Sequence, residues 1–471
     1  MLRVSRRGFL STAAAGAAAP GPGNAPPAGT SIRVVEDVPV VDEADICVLG
    51  GSSTGVFAAV RAARLGARVA LVEKQSHFGG VAAVTCTWHS LHDARHERRI
   101  IAGLTGEIVG RMRKRGGVAE IRNNASKGFE FSPGELKLAL DELVLEAGVR
   151  PHLHTLFSAP VVEGGRLSAV VVDGKSGRGA IRARYFIDAT GDGDLCSRLG
   201  LAQYSYPAPL PPTTCAFLAN WQSLKGVNLG AEIREHGREF NLDEGFVWGS
   251  VIPGTDVYML AGTRVNKVNC AVARDLTAAE IEGRRQVKAI LDLLRRYHPE
   301  RKVALHDFPA TIGIRDTRHI RCGYQLKGED VLGGKRFEDG IANGSYRVDI
   351  HHQEKPGITL KYLDGTQTYN RPGYPPETGR WRPETPDDPT FYQVPLRSLI
   401  PGRHANLILA GRMLDADITA FSAVRVMVNT NQMGEAAGVA AYLALEGGTG
   451  IGAVKPGRVR DALARGGSLI L

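Results

Sequence analysis

Residues 45–73 read DICVLGGSSTGVFAAVRAARLGARVALVE, and this stretch decides the fold. Ile46, Cys47, Val48 and Leu49 form an unbroken apolar run, the pattern of a strand buried on both faces of a parallel sheet. Gly50-Gly51-Ser52-Ser53-Thr54-Gly55 follows at once. Residues 54–65 then have helical composition, with Val56, Ala59, Val60 and Ala63 on one face. Gly66 stands where a left-handed helix stop belongs, and Ala67–Val72 is a second strand ending at Glu73. The chemistry this unit serves is pyrophosphate binding. Backbone N–H groups at a helix start have no intrahelical partner and carry partial positive charge. Glycines let the phosphates approach them, and an acidic residue after the second strand accepts a hydrogen bond from a ribose. Glu73 lies 23 positions past Gly50, close to the spacing of about 20 expected. Ser52 departs from the pattern, which has its middle glycine there. This stretch by itself does not separate NAD from FAD; the lesser alternative is a βαβ unit with a glycine-rich turn and no ligand.

Outside the stretch, 471 residues suffice for two joined domains with large cores. No run approaches the roughly 18 apolar residues of a membrane span, so stable membrane insertion is not expected. The net charge is +9; three of the arginines, Arg3, Arg6 and Arg7, lie in residues 1–28, which hold no acid, so removing them leaves +6. The remaining basic residues are scattered, as on a solvated face, and nucleic acid is not an expected partner. Ser5-Arg6-Arg7-Gly8-Phe9-Leu10, a mildly apolar alanine-rich stretch and Ala17-Ala18-Ala19 together read as a Tat export signal with a linker, over residues 1–30. The Tat translocase is then a partner in export, and the destination is periplasmic or extracellular. That route carries proteins folded around a cofactor. The six cysteines, at 47, 86, 196, 215, 270 and 322, have no spacing suited to zinc or an iron–sulfur cluster. A disulfide between some of them stays open.

Lys74 follows Glu73, and Gly79-Gly80 lets the backbone pass close to a flat or phosphorylated ligand. The polar and aromatic run Val84–Asp93 contains His89, either a structural histidine or one that touches substrate. Ser132-Pro133-Gly134-Glu135 is a helix start. From His152 to Asp188, short strands and turn signals predict an antiparallel meander inserted in the parallel domain. It ends in a second tight turn, Thr190-Gly191-Asp192. Past a proline-rich linker at 207–212, a mixed region contains a long helix, expected at Ala278–Arg296. It also holds GIRDTRHI (313–320) and YRVDIH (346–351), whose Arg and His residues either bind an anionic or hydroxylated substrate or form structural ion pairs. The chain returns with Asn406–Ala410, a buried strand ending at Gly411-Arg412, and one glycine- and alanine-rich helix expected over Ala423–Leu445.

GGSSTG with Glu73, the Gly79-Gly80 pair, FSPGELKLALDELVLEAGV, FIDATGDGD, GIRDTRHI, YRVDIH and NLILAGR…FSAVRVMVNTNQMGEAAGVAA occur in that order across 44–446. Together they resemble the FAD-dependent oxidoreductases of the glutathione-reductase-like two-domain fold. The likeness is nearest to the flavin portion of the heterodisulfide reductase flavoprotein and to xanthan-lyase-like FAD proteins. The resemblance implies an α/β fold: a Rossmann-like FAD-binding domain (40–205 and 396–446) with the inserted meander, a mixed α+β substrate or cap domain (206–395) and a tail (447–471). It implies that Gly50, Gly51, Ser52, Ser53, Thr54 and Gly55 hold the FAD pyrophosphate and Glu73 the adenosine ribose. Thr190, Gly191 and Asp192 then lie by the ribose and phosphates, and Gly411-Arg412 by the ribityl chain. The helix start at Ala423, Val424 and Arg425 then faces the flavin pyrimidine edge, its dipole stabilising negative charge there. The cysteine clusters of the full heterodisulfide reductase flavoprotein are absent, so no iron–sulfur cluster is expected.

The function expected is an exported FAD-dependent oxidoreductase that takes a hydride at flavin N5 from a small organic substrate. Arg315, His89, His351 and Arg425 are the expected substrate-site residues. No second glycine-turn unit is present for NAD(P)H, which favours reoxidation by a quinone, oxygen or a redox protein. The alternative is a flavin-binding protein of a larger redox complex, serving electron transfer or as a scaffold, with no substrate of its own. A polymer-acting lyase would need a paired-carboxylate constellation, and none is apparent.

Overall fold

The computed structural model describes residues 34–121, 128–243, 247–371 and 373–471. The twin-arginine pattern and Ala17–Ala19 lie outside them. Strand β1 (Val40–Leu49), helix α1 (Ser53–Arg64) and strand β2 (Val69–Val72) form the βαβ unit, and β1 and β2 pair in parallel. Ile46–Leu49 are wholly buried, as their unbroken apolar run requires. Gly66 ends α1 at φ +112°. Helix α2 (Pro133–Glu146) starts as its sequence predicts, Ser132 Oγ accepting from the Glu135 N–H. It leads to β3 (Arg150–His152), which is parallel to β2.

The meander follows as β4 (Leu156–Glu163), β5 (Arg166–Gly174) and β6 (Gly177–Asp188), antiparallel in sequence. The sheet order is β3-β2-β1-β6-β5-β4. β6 is long enough to be shared. Its first half pairs with β5, and Phe186–Asp188 pair in parallel with the return strand β7 (Leu407–Leu409). Register then does the positioning. Leu49 stands opposite both Val72 and Asp188, and Leu409 opposite Asp188. Four parallel strands therefore end at one level, and the loops from Gly50, Glu73, Ala189 and Ala410 leave the same edge. In open α/β sheets that edge is where ligands bind.

Between β6 and β7, strands Trp248–Val251, Tyr258–Ala261, Cys215–Ala219 and Ala304–Asp307 form an antiparallel sheet in that order. Helix Ala273–Tyr297, five residues longer at its start than expected, packs on it through a separate core that includes Leu218, Leu260, Ile290 and Leu294. The later part of the region behaves differently. Val348, Leu363 and Tyr392 belong to the same core as β1 and α1. Apolar side chains from 320–395 are thus buried on the dinucleotide domain, and residues 38–471 form one compact unit.

The single helix expected over Ala423–Leu445 is two: α3 (Ile418–Val424) and α4 (Met427–Gly447). Val426 takes φ −65° and ψ 145°, an extended conformation that breaks the run. α4 lies directly on α1. A Cβ added at Gly434 would be 2.1 Å from Thr54 O, and one at Gly438 2.1 Å from Ala58 O. The small residues of α4 thus serve helix-on-helix approach. No helix of the described residues is long and apolar enough to cross a membrane.

Candidate active site

The turn after β1 is closed by the absence of side chains. Gly50 has φ +100°, and a Cβ there would be 2.3 Å from Ala189 O; a Cβ at Gly55 would be 1.8 Å from Gly50 O. Ser52 is extended and pairs as a β-bridge with Gly79. Its bulk is absorbed opposite, where Gly80 has φ +53° and a Cβ would meet Ser52 Cβ at 2.8 Å. Glu73 fastens the same turn. Its Oε2 accepts from the Gly51 N–H at 2.6 Å and its Oε1 from the Gln75 N–H at 2.7 Å.

One large cavity opens at this edge of the sheet. Gly50, Ser52, Ser53, Thr54, Glu73 and Lys74 line it, as do Gly79, Gly80, Thr190, Gly191 and Asp192, and Gly411 and Arg412 from beyond β7. The turn at Thr190 is built by buried Asp188, which accepts from Thr190 N, Thr190 Oγ1 and Cys196 N. Gly191 lets the Arg412 guanidinium lie across the turn, since a Cβ there would be 2.4 Å from its Nη1. Arg412 donates to Asp192. Four expected residues are not on the wall. Gly51 and Gly55 sit beneath the turn, where their lack of a side chain permits packing. Ala423 and Val424 are buried at the end of α3 because the helix breaks after them. The helix start that meets the cavity is Val426, Met427 and Val428. Neither α1 nor α4 has a side-chain cap at its start; the two starts lie side by side, Thr54 Oγ1 donating to Thr430 Oγ1 at 3.0 Å, and both first turns present N–H groups to the cavity.

Arg315, His89, His351 and Arg425, drawn from four distant segments, line the same cavity. Asp349, which the sequence reading passed over, joins two of them. Arg425 Nη2 donates to its Oδ2 at 3.1 Å, and His351 Nε2 lies 3.2 Å from the same oxygen. Arg264 Nη2 is 3.3 Å from His351 Nδ1. An arginine only donates, so Nδ1 is the acceptor and Nε2 carries the proton. Burial pushes His351 down to about 3. Burial and the charge of Arg347 push His89 down to about 4. Both rings are therefore neutral at neutral pH. Burial would raise the Asp349 carboxyl, but His351, Arg425 and Arg347 outweigh it and hold it well below the usual range. Arg315 Nη1 donates to Pro211 O and Thr213 Oγ1, each at 2.6 Å. Burial and Arg425 lower its pKa to about 10.

A family model described as FAD dependent oxidoreductase matches residues 45–463. The chain belongs to the FAD dependent oxidoreductase family. No curated protein sequence matches it. Among solved structures it is similar to a geranylgeranyl bacteriochlorophyll reductase-like protein from Thermoplasma acidophilum, at 12% identity and TM-score 0.44, covering 90% of this chain and 83% of that one. It is also similar to the anhydrotetracycline hydroxylase of Streptomyces rimosus, at 12% identity and TM-score 0.41, covering 90% and 66%. A third is p-nitrophenol 4-monooxygenase from Pseudomonas putida DLL-E4, at 10% identity and TM-score 0.39, covering 60% and 70%.

FAD is the cofactor of this oxidoreductase, and the residues fit it. Two uncapped helix starts, a glycine-closed turn and Arg412, whose buried Nε has no partner, suit a diphosphate. Among the described residues no group of three or more His, Cys, Asp or Glu is placed to hold a metal ion, and all six cysteines are free. Arg347 and Asp349 were legible in YRVDIH. The strand Val348–His351 puts Asp349 and His351 on one face by its period of two.

Proposed function

We propose that this FAD-dependent oxidoreductase is exported through the Tat route and oxidises a small organic substrate held at the Arg315–His351 end of the cavity. One observation carries the reading: the dinucleotide-type turns and the Arg315, His89, His351 and Arg425 cluster share a single cavity. In it, Ser53, Thr54 and the free N–H groups of α1 hold the pyrophosphate, Glu73 lies toward the adenosine ribose, and Arg412 and Asp192 lie along the chain between the rings. The start of α4 faces the flavin. When bound, FAD supplies a two-electron acceptor that takes a hydride at N5.

The chain's own groups do the rest. A neutral imidazole has one unprotonated nitrogen, so His89 is able to take a proton from a substrate hydroxyl or amine. Asp349 Oδ1, buried without a partner, is an acceptor that orients such a group. Val84, Trp88 and Trp248 on the wall exclude water. A quinone, oxygen or a redox protein would take the electrons onward. The flavin-containing protein, made without residues 1–30 and kept anaerobic, is expected to lose its visible absorption on addition of one class of alcohol, amine, sugar or acid. A yellow protein bleached by none of them, and purifying with a redox partner, overturns the reading in favour of an electron-transfer role.

A further inference from the structure

The charge at the substrate end of the cavity does not balance. Arg315, Arg347 and Arg425 line it, and Asp349 is the carboxylate set among them. Arg264 stands behind, 8% exposed and hydrogen-bonded to His351. The two histidines on this wall are neutral. Four guanidiniums therefore face one carboxylate in a region largely withdrawn from water, where unpaired charge is costly. Their donors are not used up. Arg315 spends Nη1 on Pro211 O and Thr213 Oγ1, and no hydrogen bond from its Nη2 or Nε occurs among the described residues. Arg425 Nε and Arg347 Nε are buried without a partner.

The cofactor's phosphates do not account for this excess. They belong with the turns at 50–54, 190–192 and 411–412, where the N–H groups of α1 and the unpartnered Arg412 Nε stand for them. The charged side chains that act on Arg315 are Arg425, Asp349 and Arg264, all at the other end. Around the guanidiniums the wall is apolar and aromatic, with Trp88, Trp248, Ile312, Ile314 and Ile358.

We infer that the substrate is an organic carboxylate with an apolar body, its carboxylate held by Arg315 with Arg425 and Arg347. This rests on the reading of the cavity's far end as the substrate site. Planar guanidinium forks suit a carboxylate's two oxygens, and charge-assisted hydrogen bonds in a dry site discriminate strongly against a neutral isostere.

The test uses the flavin-containing protein and a series of carboxylates from acetate to benzoate, each against its amide. Binding is read from the shift of the flavin absorption band and by calorimetry. The expected result is a saturable response to at least one carboxylate, with its amide binding about tenfold or more weakly. Arg315→Gln is expected to weaken the carboxylate by a similar factor and the amide by clearly less, so that the acid–amide ratio falls. Arg425→Gln is the second variant should the first fail to retain flavin, and the carboxylate–amide comparison on the unaltered protein needs neither. No response to any carboxylate, equal binding of acid and amide, or variants that bind like the parent each overturn the inference. A purified protein that takes up no flavin overturns instead the cavity reading on which it stands.

Discussion

A Cβ at Gly55 would stand 1.8 Å from the Gly50 carbonyl oxygen, inside any van der Waals contact. The turn that brings the start of α1 to the cavity cannot close over it. Gly55→Leu is therefore expected to yield protein without flavin, checked by the visible spectrum and by FAD released on denaturation. Gly66→Ala is the matched control. Unlike Gly55 it has a positive φ, +112°, but nothing lies within 4 Å of the added methyl. Its cost is backbone strain of about 1–2 kcal/mol, with flavin retained. A Gly55→Leu protein carrying the parent's full complement of FAD would refute the account of the turn. Much at this scale was legible in the sequence, because a glycine fingerprint states its own steric reason. Ser52 was not. Its tolerance depends on Gly80, 28 positions on, and only the bridge between Ser52 and Gly79 brings the two together.

At the scale of elements, α1 and α4 are bound by more than their glycine contact. Arg61 donates to Glu435 from the neighbouring helix, and both side chains are nearly inaccessible. Glu435 also accepts from the Leu104 N–H and from Ser468 Oγ. Removing one partner of such a pair leaves a buried charge alone, at a cost of about 3–5 kcal/mol. Arg61→Met is thus expected to destabilise strongly. Arg61→Met with Glu435→Gln is expected to recover most of the loss, because Gln is neutral and still accepts from Leu104. Denaturant midpoints of the two variants decide it; a double variant no more stable than the single one would contradict the assignment. The same helices show where sequence reading fails. Nothing between Ala423 and Met427 is a Gly or Pro, so a single helix was the natural reading. The break comes from tertiary structure. Arg425 reaches Asp349, and Val426 takes an extended conformation on the cavity wall, so α4 begins where its free N–H groups meet the cavity. α2 and α3, by contrast, have side-chain caps at their starts, from Ser132 and Asp417. A missing cap on a cavity-facing helix leaves donors for a ligand.

For the whole molecule, the cavity wall is assembled from the turns at 50–54, 79–80 and 190–192, the region 311–315, the strand near 349 and the segment 410–430. The sequence named most of these segments, and the register of β1, β2, β6 and β7 explains why they converge. It did not show that residues 320–395 would share the main core while the sheet built from 215–307 kept a core of its own with its helix and also packed Cys215, Met259 and Ala261 with Val84 and Cys86, because that depends on which apolar faces find each other. With FAD held as proposed, this layout makes it a clasp between parts of the chain far apart in sequence. A ligand bound only by the folded state adds stability of RT ln(1 + [L]/Kd), about 4 kcal/mol at a thousandfold excess over Kd. Stripping FAD is therefore expected to lower the unfolding midpoint by several degrees. Adding it back restores the midpoint in proportion to the logarithm of its concentration. Flavin release, followed by fluorescence during heating of the intact holoprotein, is expected to coincide with loss of secondary structure measured by circular dichroism. A midpoint that ignores FAD, or flavin that leaves well before the fold opens, would mean that the cofactor rests on one turn alone and the distant segments do not grip it.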